Sequence, residues 1–272
     1  MPSVSKNPKV VFLGAGKLGS LLIQSWLKNK AFKASDLHIH VKTKKSAQKL
    51  KKLFLKSKIT CAEEKAPLPK APLYVIAVKP SQWNEIKKDL QQQSAQKAFF
   101  ISIMAGIKSS QLESDLKKPV VVAMTNTCLQ VKGALTALFQ SPSATANQLQ
   151  RVKKLFARFG TVYVLPEELF SKATAWGGSH PAFIIWMIQS LSQIISEELK
   201  IKGSLDWILQ VFEGSVKLLK EKKDPENLLK QIATPGGCTE EGLKSLSELK
   251  IQDSLRKVFE KCSNKAEQMG KN

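Results

Sequence analysis

The most restrictive feature of this sequence is a glycine-rich segment near its beginning, Gly14-Ala15-Gly16-Lys17-Leu18-Gly19, which fits the pattern G-x-G-x-x-G. Four apolar residues, Val10 to Leu13, precede it, and after it apolar residues recur every three or four positions. The pattern therefore lies at a turn between a strand and a helix, the context in which it binds a dinucleotide. Gly14 permits the turn, Gly16 lets a pyrophosphate approach the backbone, and Gly19 lets the helix lie close to the strand. The alternative is a purely structural glycine turn.

The first turn of the helix after these glycines adds to the same prediction. Lys17 and Leu18 lie in that turn, where backbone N–H groups have no partner within the helix and the helix dipole is positive. Such a turn binds anions, and phosphates in particular. We therefore predict that these residues form the phosphate-binding part of a dinucleotide site.

The end of the second predicted strand bears on the choice of coenzyme. Residues 36–41 form that strand, and in a nucleotide-binding fold its end meets the adenosine ribose, where NAD enzymes place an acid. Here the chain continues Lys42-Thr43-Lys44-Lys45, with no acid. A lysine cluster favours a 2′-phosphate, so we predict NADPH rather than NADH, with Thr43 and Lys44 at the ribose. The alternative is that these lysines only open a basic helix.

Apolar runs of the kind found in buried parallel strands alternate with helical stretches along the first part of the chain. The predicted strands are 10–13, 36–41, 59–61, 73–78, 98–104, 119–124 and 161–165, and the later helices are 46–56, 83–90, 110–116 and 144–159. This alternation predicts an α/β fold with a Rossmann-type, doubly wound parallel sheet. A ligand of such a sheet lies beyond the carboxyl ends of its strands. The residues expected there are Gly14, Lys79, Ala105 and Asn126.

After Pro166 the pattern becomes helical, so we predict two domains, 1–165 and 166–272, of which the second is all-α. Its predicted helices are 181–199, 204–219, 225–232, 239–249 and 251–267. The centre of the first, Ala182 to Ile188, is apolar on all sides. A helix that is apolar all round must be buried, and in so small a domain this indicates burial by a second subunit. We therefore expect a homodimer or a larger homo-oligomer.

Composition excludes several classes of protein. No apolar run is long enough to span a bilayer, and the first residues lack the apolar region of a secretory signal, so we expect a cytoplasmic protein without a membrane partner. The four cysteines are scattered with no C-x-x-C pair, which favours free thiols and no metal site. The net charge is +21, but only three of the 43 basic residues are arginine. This lysine-biased surface predicts nonspecific attraction to polyanions rather than a specific nucleic-acid site.

A second glycine-rich segment runs from Thr234 to Leu243, Thr-Pro-Gly-Gly-Cys-Thr-Glu-Glu-Gly-Leu, between two predicted helices. Thr239 is placed to cap the second helix, with Glu240 and Glu241 in its first turn. The N–H groups of such a turn form a nest suited to a carboxylate. The alternative is an ordinary Pro-Gly-Gly turn, and the composition does not decide between them.

Taken together, these segments resemble the pyrroline-5-carboxylate reductase family over nearly the whole chain. The family's [ST]-P-G-G-x-T-x-x-G-L, A-V-K-P and S-I-x-A-G signatures are matched by Thr234 to Leu243, Ala77 to Pro80 and Ser102 to Gly106. Its M-P-N-T-P and S-G-S-G-P-A-Y signatures are partly matched by Met124 to Cys128 and by Gly177 to Phe183. The order and spacing of the signatures also agree.

The resemblance implies reduction of 1-pyrroline-5-carboxylate to L-proline with NADPH. It implies that backbone N–H groups of Gly236, Gly237, Cys238 and Thr239 hold the substrate carboxylate. The Thr239 hydroxyl would be the catalytic group, bonded to the ring nitrogen, and Ser179 would line the same pocket. The residues implied at the coenzyme are Ala77, Val78, Lys79, Pro80, Ala105, Gly106 and Asn126.

Several positions depart from the family pattern. An arginine that usually precedes M-P-N-T-P is Val122 here, both prolines of that motif are replaced, by Thr125 and Cys128, and the last signature has His180 and Phe183 in place of glycine and tyrosine. We interpret His180 as filling space, with an added proton donor as the alternative. The departures leave open a paralogue that reduces another cyclic imine or a small oxo acid, or a non-catalytic member that binds NADPH. Charge alone suggests a polyanion-binding accessory protein.

Overall fold

The computed structural model describes residues 7–271 of the 272-residue chain. The ends of the two predicted domains, residues 1–6 and Asn272, lie outside the described residues. The chain divides into two compact units. The first runs to Ser179 and includes the final segment from Cys262, and the second is His180–Lys261.

The first unit is built on a single eight-stranded sheet in the order β3-β2-β1-β4-β5-β6-β7-β8. The strands are β1 Val10–Leu13, β2 Leu37–Val41, β3 Lys58–Cys61, β4 Leu73–Ile76, β5 Phe99–Ser102, β6 Val120–Met124, β7 Ala134–Gln140 and β8 Gly160–Val164. Strands β1 to β6 pair in parallel, as the sequence predicts. The predicted Rossmann-type sheet is thus confirmed for these six strands.

The last two strands correct the prediction of an all-parallel sheet. Strand β7, which the sequence analysis missed, pairs antiparallel with β6, and β8 pairs parallel with β7. The segment of β7, Ala-Leu-Thr-Ala-Leu-Phe-Gln, has one β-branched residue, so its composition gives little strand signal. Its pairing with β6 over four residues is a tertiary contact that local composition does not encode.

Helices cover both faces of the sheet in the first unit. They are α1 Lys17–Lys28, α2 Lys44–Leu53, α3 Trp83–Gln93, α4 Ser109–Leu116, α5 Ala146–Phe156 and the short α6 Phe170–Ala173. One buried cluster packs around Trp26 and Phe12, whose rings meet edge to face, and the other packs around Tyr74 and Phe100, whose rings stack. Two apolar layers on one sheet are the architecture of a doubly wound fold.

The second unit is helical, as predicted. Its helices are α7 His180–Leu199, α8 Ser204–Lys222, α9 Pro225–Ile232 and α10 Cys238–Glu248, and α11 Ile251–Lys271 begins in it. These bounds agree with the predicted helices to within a few residues. No described helix is long and apolar enough to cross a membrane.

The chain between the predicted domain boundary and the second unit packs with the sheet. Phe170 and Ala173 of α6 are buried in the same cluster as Tyr74, and the Phe170 ring meets that of Phe139 at 5.1 Å. A six-residue π-helix, Thr174–Ser179, follows α6 and closes the first unit. The boundary after Leu165 itself stays a prediction.

Candidate functional site

The turn after β1 has the geometry that the glycine pattern predicts. Gly14 has φ +82°, and a Cβ there would lie 2.8 Å from the Val78 side chain and 2.9 Å from the Ala77 carbonyl oxygen. Its N–H donates to the carbonyl of His40, at the end of β2, at 2.8 Å. Both the positive φ and the crowding restrict this position to glycine.

The other two glycines of the pattern differ in what surrounds them. A Cβ on Gly19 would lie 2.9 Å from the Cβ of Ala77, so glycine here brings α1 close to β4. A Cβ on Gly16 would have nothing within 4 Å. Glycine at position 16 is therefore not required by the protein's own packing. An open approach to the backbone at this position is what a bound pyrophosphate needs, so the residues present fit a dinucleotide.

The start of α1 leaves donors for such a ligand. Gly16 is the N-cap and supplies no side-chain cap, and the first helical bond runs from the Ser20 N–H to the Gly16 carbonyl at 2.8 Å. The N–H groups of Lys17, Leu18 and Gly19 precede that bond, and the first turn contains no acidic residue. This helix N-terminus is therefore suited to an anion.

The strand register brings the predicted coenzyme residues to one edge of the sheet. Leu13 is in register with Ile76, and Ile76 with Ser102, so the turns after β1, β4 and β5 begin at the same level. These turns contain Gly14, Ala77, Val78, Lys79, Pro80, Ala105 and Gly106. The predicted gathering at the carboxyl ends of the strands is thus present in the first unit.

Asn126, after β6, has a role that the sequence did not indicate. Its amide donates to the Gly177 carbonyl at 2.8 Å, and its Oδ1 accepts from the Cys128 N–H at 3.0 Å. The side chain is 6% exposed. Asn126 therefore ties the end of β6 to the π-helix. Its predicted contact with the coenzyme is not tested by these bonds and stays a prediction.

Two further contacts hold the chain around the π-helix. The buried Thr136 hydroxyl, on β7, donates to the hydroxyl of Thr125 at 2.9 Å. The Cys262 thiol donates to the hydroxyl of Ser179, at the end of the π-helix, at 3.4 Å. Ser179, a predicted substrate residue, thus has a partner within the first unit.

Beside the end of β2 lies the acidic side chain of Glu63, a contact that the sequence analysis missed. Thr43 caps α2 by accepting from the Ser46 N–H at 3.1 Å. The next backbone N–H, that of Lys44, donates to the carboxylate of Glu63 at 2.8 Å. Glu63 follows β3 by two residues, so the parallel pairing of β2 with β3 brings it here. The sequence signal for this contact was that Glu63 lies just past a predicted strand, which a parallel sheet places beside β2.

The lysines of this segment differ in their surroundings. The Lys42 ammonium pairs with the Glu85 carboxylate of α3 at 2.7 Å, and both side chains are more than half exposed. Among the side chains that the structure describes, the Lys44 and Lys45 ammonium groups make no ion pair within 4 Å. These two positive charges are the ones that remain for a phosphate.

The two histidines of β2 have a partner in β3. The His38 and His40 rings both hydrogen-bond the Thr60 hydroxyl, at 2.8 and 2.9 Å. Burial, with Lys58 and His40 nearby, lowers the pKa of His38 to about 4, and burial also lowers the pKa of His40. Burial thus favours the neutral form of both rings, which pack between β2 and β3.

In the second unit, the segment before α10 is a glycine turn with an occupied donor. Gly236 has φ +71°, and its N–H donates to the Glu240 carboxylate at 2.7 Å. The Gly237 N–H donates to the Thr234 carbonyl at 2.9 Å. The turn therefore binds a carboxylate, although that carboxylate belongs to its own helix.

The predicted cap of α10 is wrong. The helix begins at Cys238, with Gly237 as an N-cap that has no side-chain hydrogen bond. Thr239 is therefore inside the first turn, together with Glu240 and Glu241, and its half-buried side chain does not cap the helix. The physical reason is that Gly237 already has the extended conformation that a cap needs, so the N-cap lies two residues earlier than predicted.

His180 and Phe183, which differ from the family pattern at the start of α7, pack against the same aromatic ring. The Phe259 ring of α11 meets the His180 ring at 5.0 Å and the Phe183 ring at 5.2 Å, both edge to face. These contacts lie within the second unit and agree with the interpretation of His180 as a packing residue.

Comparisons with known proteins give matches in both the N-terminal and the C-terminal part of the chain. Residues 167–269 match the family model described as pyrroline-5-carboxylate reductase dimerisation, and residues 9–106 match NADP oxidoreductase coenzyme F420-dependent. The pyrroline-5-carboxylate reductase of Aquifex aeolicus is 32% identical over 203 residues, covering 72% of this chain and 74% of the relative. That of Methanosarcina acetivorans is 28% identical over 276 residues, covering 98% and 99%.

Solved structures share the fold. The structure of Plasmodium falciparum pyrroline carboxylate reductase with NADP bound superposes with a TM-score of 0.84 at 24% identity, covering 97% of this chain and 98% of the other. The enzyme of Streptococcus pyogenes gives a TM-score of 0.80 at 23% identity, covering 95% and 98%.

Proposed function

The chain belongs to the pyrroline-5-carboxylate reductase family, and from this premise we propose that it reduces the C=N bond of 1-pyrroline-5-carboxylate with NADPH to give L-proline. The observation that carries the proposal is the glycine turn after β1. Its open face at Gly16 and the free donors of α1 fit a pyrophosphate. The relatives that support the substrate match between 72% and 98% of the chain.

The first unit is proposed to hold the coenzyme. Gly14, Gly16 and Gly19 shape the turn, and the N–H groups of Lys17 and Leu18 face the phosphates. Thr43 and Lys44 border the ribose. The remaining coenzyme contacts are assigned to Ala77, Val78, Lys79, Pro80, Ala105, Gly106 and Asn126. When bound, NADPH supplies the hydride.

The second unit is proposed to hold the substrate carboxylate at the turn before α10. The N–H groups of Gly236, Gly237, Cys238 and Thr239 are assigned to it. Two of these donors already have partners within the chain, the Glu240 carboxylate for Gly236 and the Thr234 carbonyl for Gly237, so a substrate carboxylate has to displace them. The assignment therefore rests on the match of this turn to the family signature. Ser179, in the first unit, is assigned to the substrate on the family resemblance alone.

The reaction makes few demands on acid and base groups. A cyclic imine is basic enough to be protonated near neutral pH, and the resulting iminium carbon accepts hydride directly. Catalysis then consists mainly of placing the two reactants and balancing charge. The Thr239 hydroxyl is proposed to hydrogen-bond the ring nitrogen and so fix the orientation of the imine.

A variant of Thr239 tests this role. Thr239→Ala is expected to lower kcat/KM for the imine by roughly 10- to 150-fold, since a hydrogen bond to a charged group contributes about 1.5–3 kcal/mol. The Kd for NADPH should stay unchanged, and Thr239→Ser, which keeps the hydroxyl, should retain most of the activity. Equal activity of the alanine and wild-type proteins would remove Thr239 from the mechanism.

Homodimer formation is the second part of the proposal. Helix α7 has no buried residue within the single chain, and Ile185 and Trp186 are 63% and 66% exposed. Apolar surface of this kind marks an interface, and the matched dimerisation model supports a second copy as the partner. Trp186→Glu should lower the mass measured by light scattering to that of a monomer. Gln92→Glu on the exposed surface of α3, which changes the charge by the same amount, should leave the mass unchanged.

The departures from the family signatures favour one alternative function. Thr125 and Cys128 replace prolines in a segment assigned to the coenzyme, and His180 and Phe183 alter the start of α7. A paralogue that reduces another cyclic imine or a small oxo acid would have such changes. A panel of imines and oxo acids compared by kcat/KM distinguishes the two functions.

The setting proposed for this activity is the cytoplasm. All four cysteines are free thiols, which supports a reducing compartment. Mass spectrometry of the protein purified without reductant, after alkylation, should find four modified cysteines. Disulfide-linked peptides would argue against this setting.

A further inference from the structure

Glu63, whose carboxylate lies at the start of α2, bears on the choice between NADPH and NADH. We propose that Glu63 is a specificity-determining residue that competes with the 2′-phosphate of NADPH for the N-terminus of α2, and so narrows the preference for NADPH over NADH. The proposal rests on the proposed function, because it needs the dinucleotide site of the first unit.

The position of Glu63 is the first step of the argument. The end of β2 is the place where a doubly wound fold meets the adenosine ribose. Here α2 begins at Lys44, directly after Thr43, which caps the helix. The Lys44 N–H is thus a donor at a helix N-terminus, next to the strand end where a 2′-phosphate is distinguished from a 2′-hydroxyl in this type of fold.

That donor is already taken by an internal carboxylate. Glu63 Oε2 lies 2.8 Å from the Lys44 nitrogen, and the Glu63 N–H donates to the Lys42 carbonyl at 3.2 Å. The second bond fixes the backbone of Glu63 beside the turn, so its carboxylate stays close to this donor. An anion that needs the Lys44 N–H has to displace the carboxylate and then lie next to its negative charge.

The two coenzymes respond differently to this arrangement. The 2′-phosphate of NADPH is an anion and is opposed by Glu63, whereas the 2′-hydroxyl of NADH is neutral and can donate to the same carboxylate. The lysines at 44 and 45 act in the opposite direction and attract the phosphate. Glu63 therefore sets how far the lysine cluster favours NADPH.

The effect of Glu63 on NADPH affinity depends on how often its carboxylate occupies the Lys44 N–H. If the Lys44 N–H is bound by Glu63 about nine-tenths of the time, a ligand that requires this donor binds about tenfold more weakly than its intrinsic affinity. Removing the charge of Glu63 should restore most of this tenfold loss of affinity. Because Gln keeps an oxygen that accepts a weaker bond, we expect roughly a five- to tenfold gain with Glu63→Gln.

The experiment compares Glu63→Gln with wild type and with Glu64→Gln. Glu64 is the next residue on the same exposed turn, so its variant removes an equal charge from nearly the same place. The Kd values of NADPH, NADH and 2′,5′-ADP are measured by calorimetry at low and high salt. Glu63→Gln should tighten NADPH and 2′,5′-ADP about five- to tenfold, leave NADH unchanged or bind it a few times more weakly, and lose part of its effect at high salt.

A second variant separates the hydrogen bond from the charge. Glu63→Asp keeps the charge but shortens the side chain by one methylene, so it should weaken the bond to Lys44 and give a smaller gain in NADPH affinity than Glu63→Gln. Equal changes in Glu63→Gln and Glu64→Gln would overturn the proposal, because general charge would then explain them. Equal tightening of NADPH and NADH would also overturn it.

The outcomes distinguish this inference from the proposed function. Wild-type protein that binds both coenzymes, with a ratio that Glu63→Gln does not change, refutes the role of Glu63 and leaves the reductase function intact. Wild-type protein that binds neither coenzyme refutes both.

Discussion

Replacing Gly16 with alanine is expected to weaken NADPH binding strongly and to leave the stability of the protein nearly unchanged. The new methyl would meet nothing within 4 Å, and the backbone at Gly16, with φ −65° and ψ −168°, is extended and suits an alanine. Alanine also restricts the unfolded chain, which stabilises the folded state by about 0.4–1 kcal/mol. Because Gly16 is the N-cap of α1 and alanine is a poorer N-cap residue than glycine, the two effects should nearly cancel.

In the coenzyme complex the same methyl would stand where the pyrophosphate approaches α1. A displaced phosphate loses at least one charge-assisted hydrogen bond to the first turn, at a cost of about 1.5–3 kcal/mol. That cost corresponds to a Kd roughly 10- to 150-fold weaker. Fluorescence titration with NADPH measures the Kd, and thermal unfolding without ligand measures the stability.

Gly19→Ala is the matched control for this prediction. It places a methyl 2.9 Å from the Cβ of Ala77, so it should destabilise the first unit by about 1–3 kcal/mol through overpacking. Binding of NADPH to Gly16→Ala with wild-type affinity would contradict the assignment of the pyrophosphate. A Gly19→Ala protein as stable as wild type would contradict the explanation of that glycine.

Three other predictions concern stability. Asn126→Ala leaves the Gly177 carbonyl and the Cys128 N–H without this buried partner. The free energy of unfolding, measured in urea, should therefore fall by about 2–4 kcal/mol. An unchanged urea midpoint would contradict the role of Asn126 in joining β6 to the π-helix. The pKa of His38 is lowered to about 4 in the folded protein, so the unfolded chain takes up this proton at a higher pH than the folded chain. The contribution of neutral His38 to the free energy of unfolding is therefore complete above about pH 6.5 and is lost as the pH falls towards 4. The loss should be about 2 kcal/mol once solvent screening is allowed for, and it should be absent in His38→Gln. Lys117 ends α4 with φ +54°, so Lys117→Gly should raise the melting temperature by relieving about 1 kcal/mol of strain, and a lower melting temperature would refute this.

The parts of the fold that the sequence predicted depend on short-range patterns. The strand, the turn and the helix around Gly14 lie within twenty residues, and each glycine has a role set by its immediate neighbours. The amphipathic and apolar patterns of the helices are local in the same sense. These elements could therefore be located without knowledge of the tertiary structure.

The parts that were missed depend on contacts between distant segments. Strand β7 is defined by its pairing with β6, and its composition resembles a loop or a helix as much as a strand. Glu63 reaches the Lys44 N–H only because β2 and β3 pair in parallel. Asn126 reaches the Gly177 carbonyl across 51 residues of sequence.

The start of α10 was misplaced for a different reason. Both Gly237 and Thr239 are suitable N-cap residues, and side-chain chemistry favours threonine over glycine only slightly. The extended backbone of Gly237 decides the outcome, with ψ 164°. Sequence reasoning identified the turn but not which of its residues begins the helix.

The central claim, reduction of a cyclic imine with NADPH, is tested most directly by one rate measurement on the purified protein. Oxidation of NADPH is followed by its absorbance, with and without 1-pyrroline-5-carboxylate, and L-proline is identified in the product. We expect rapid oxidation that depends on the imine, is slower with NADH, and yields one proline for each NADPH consumed. Tight binding of NADPH with no imine-dependent oxidation would contradict the assigned substrate.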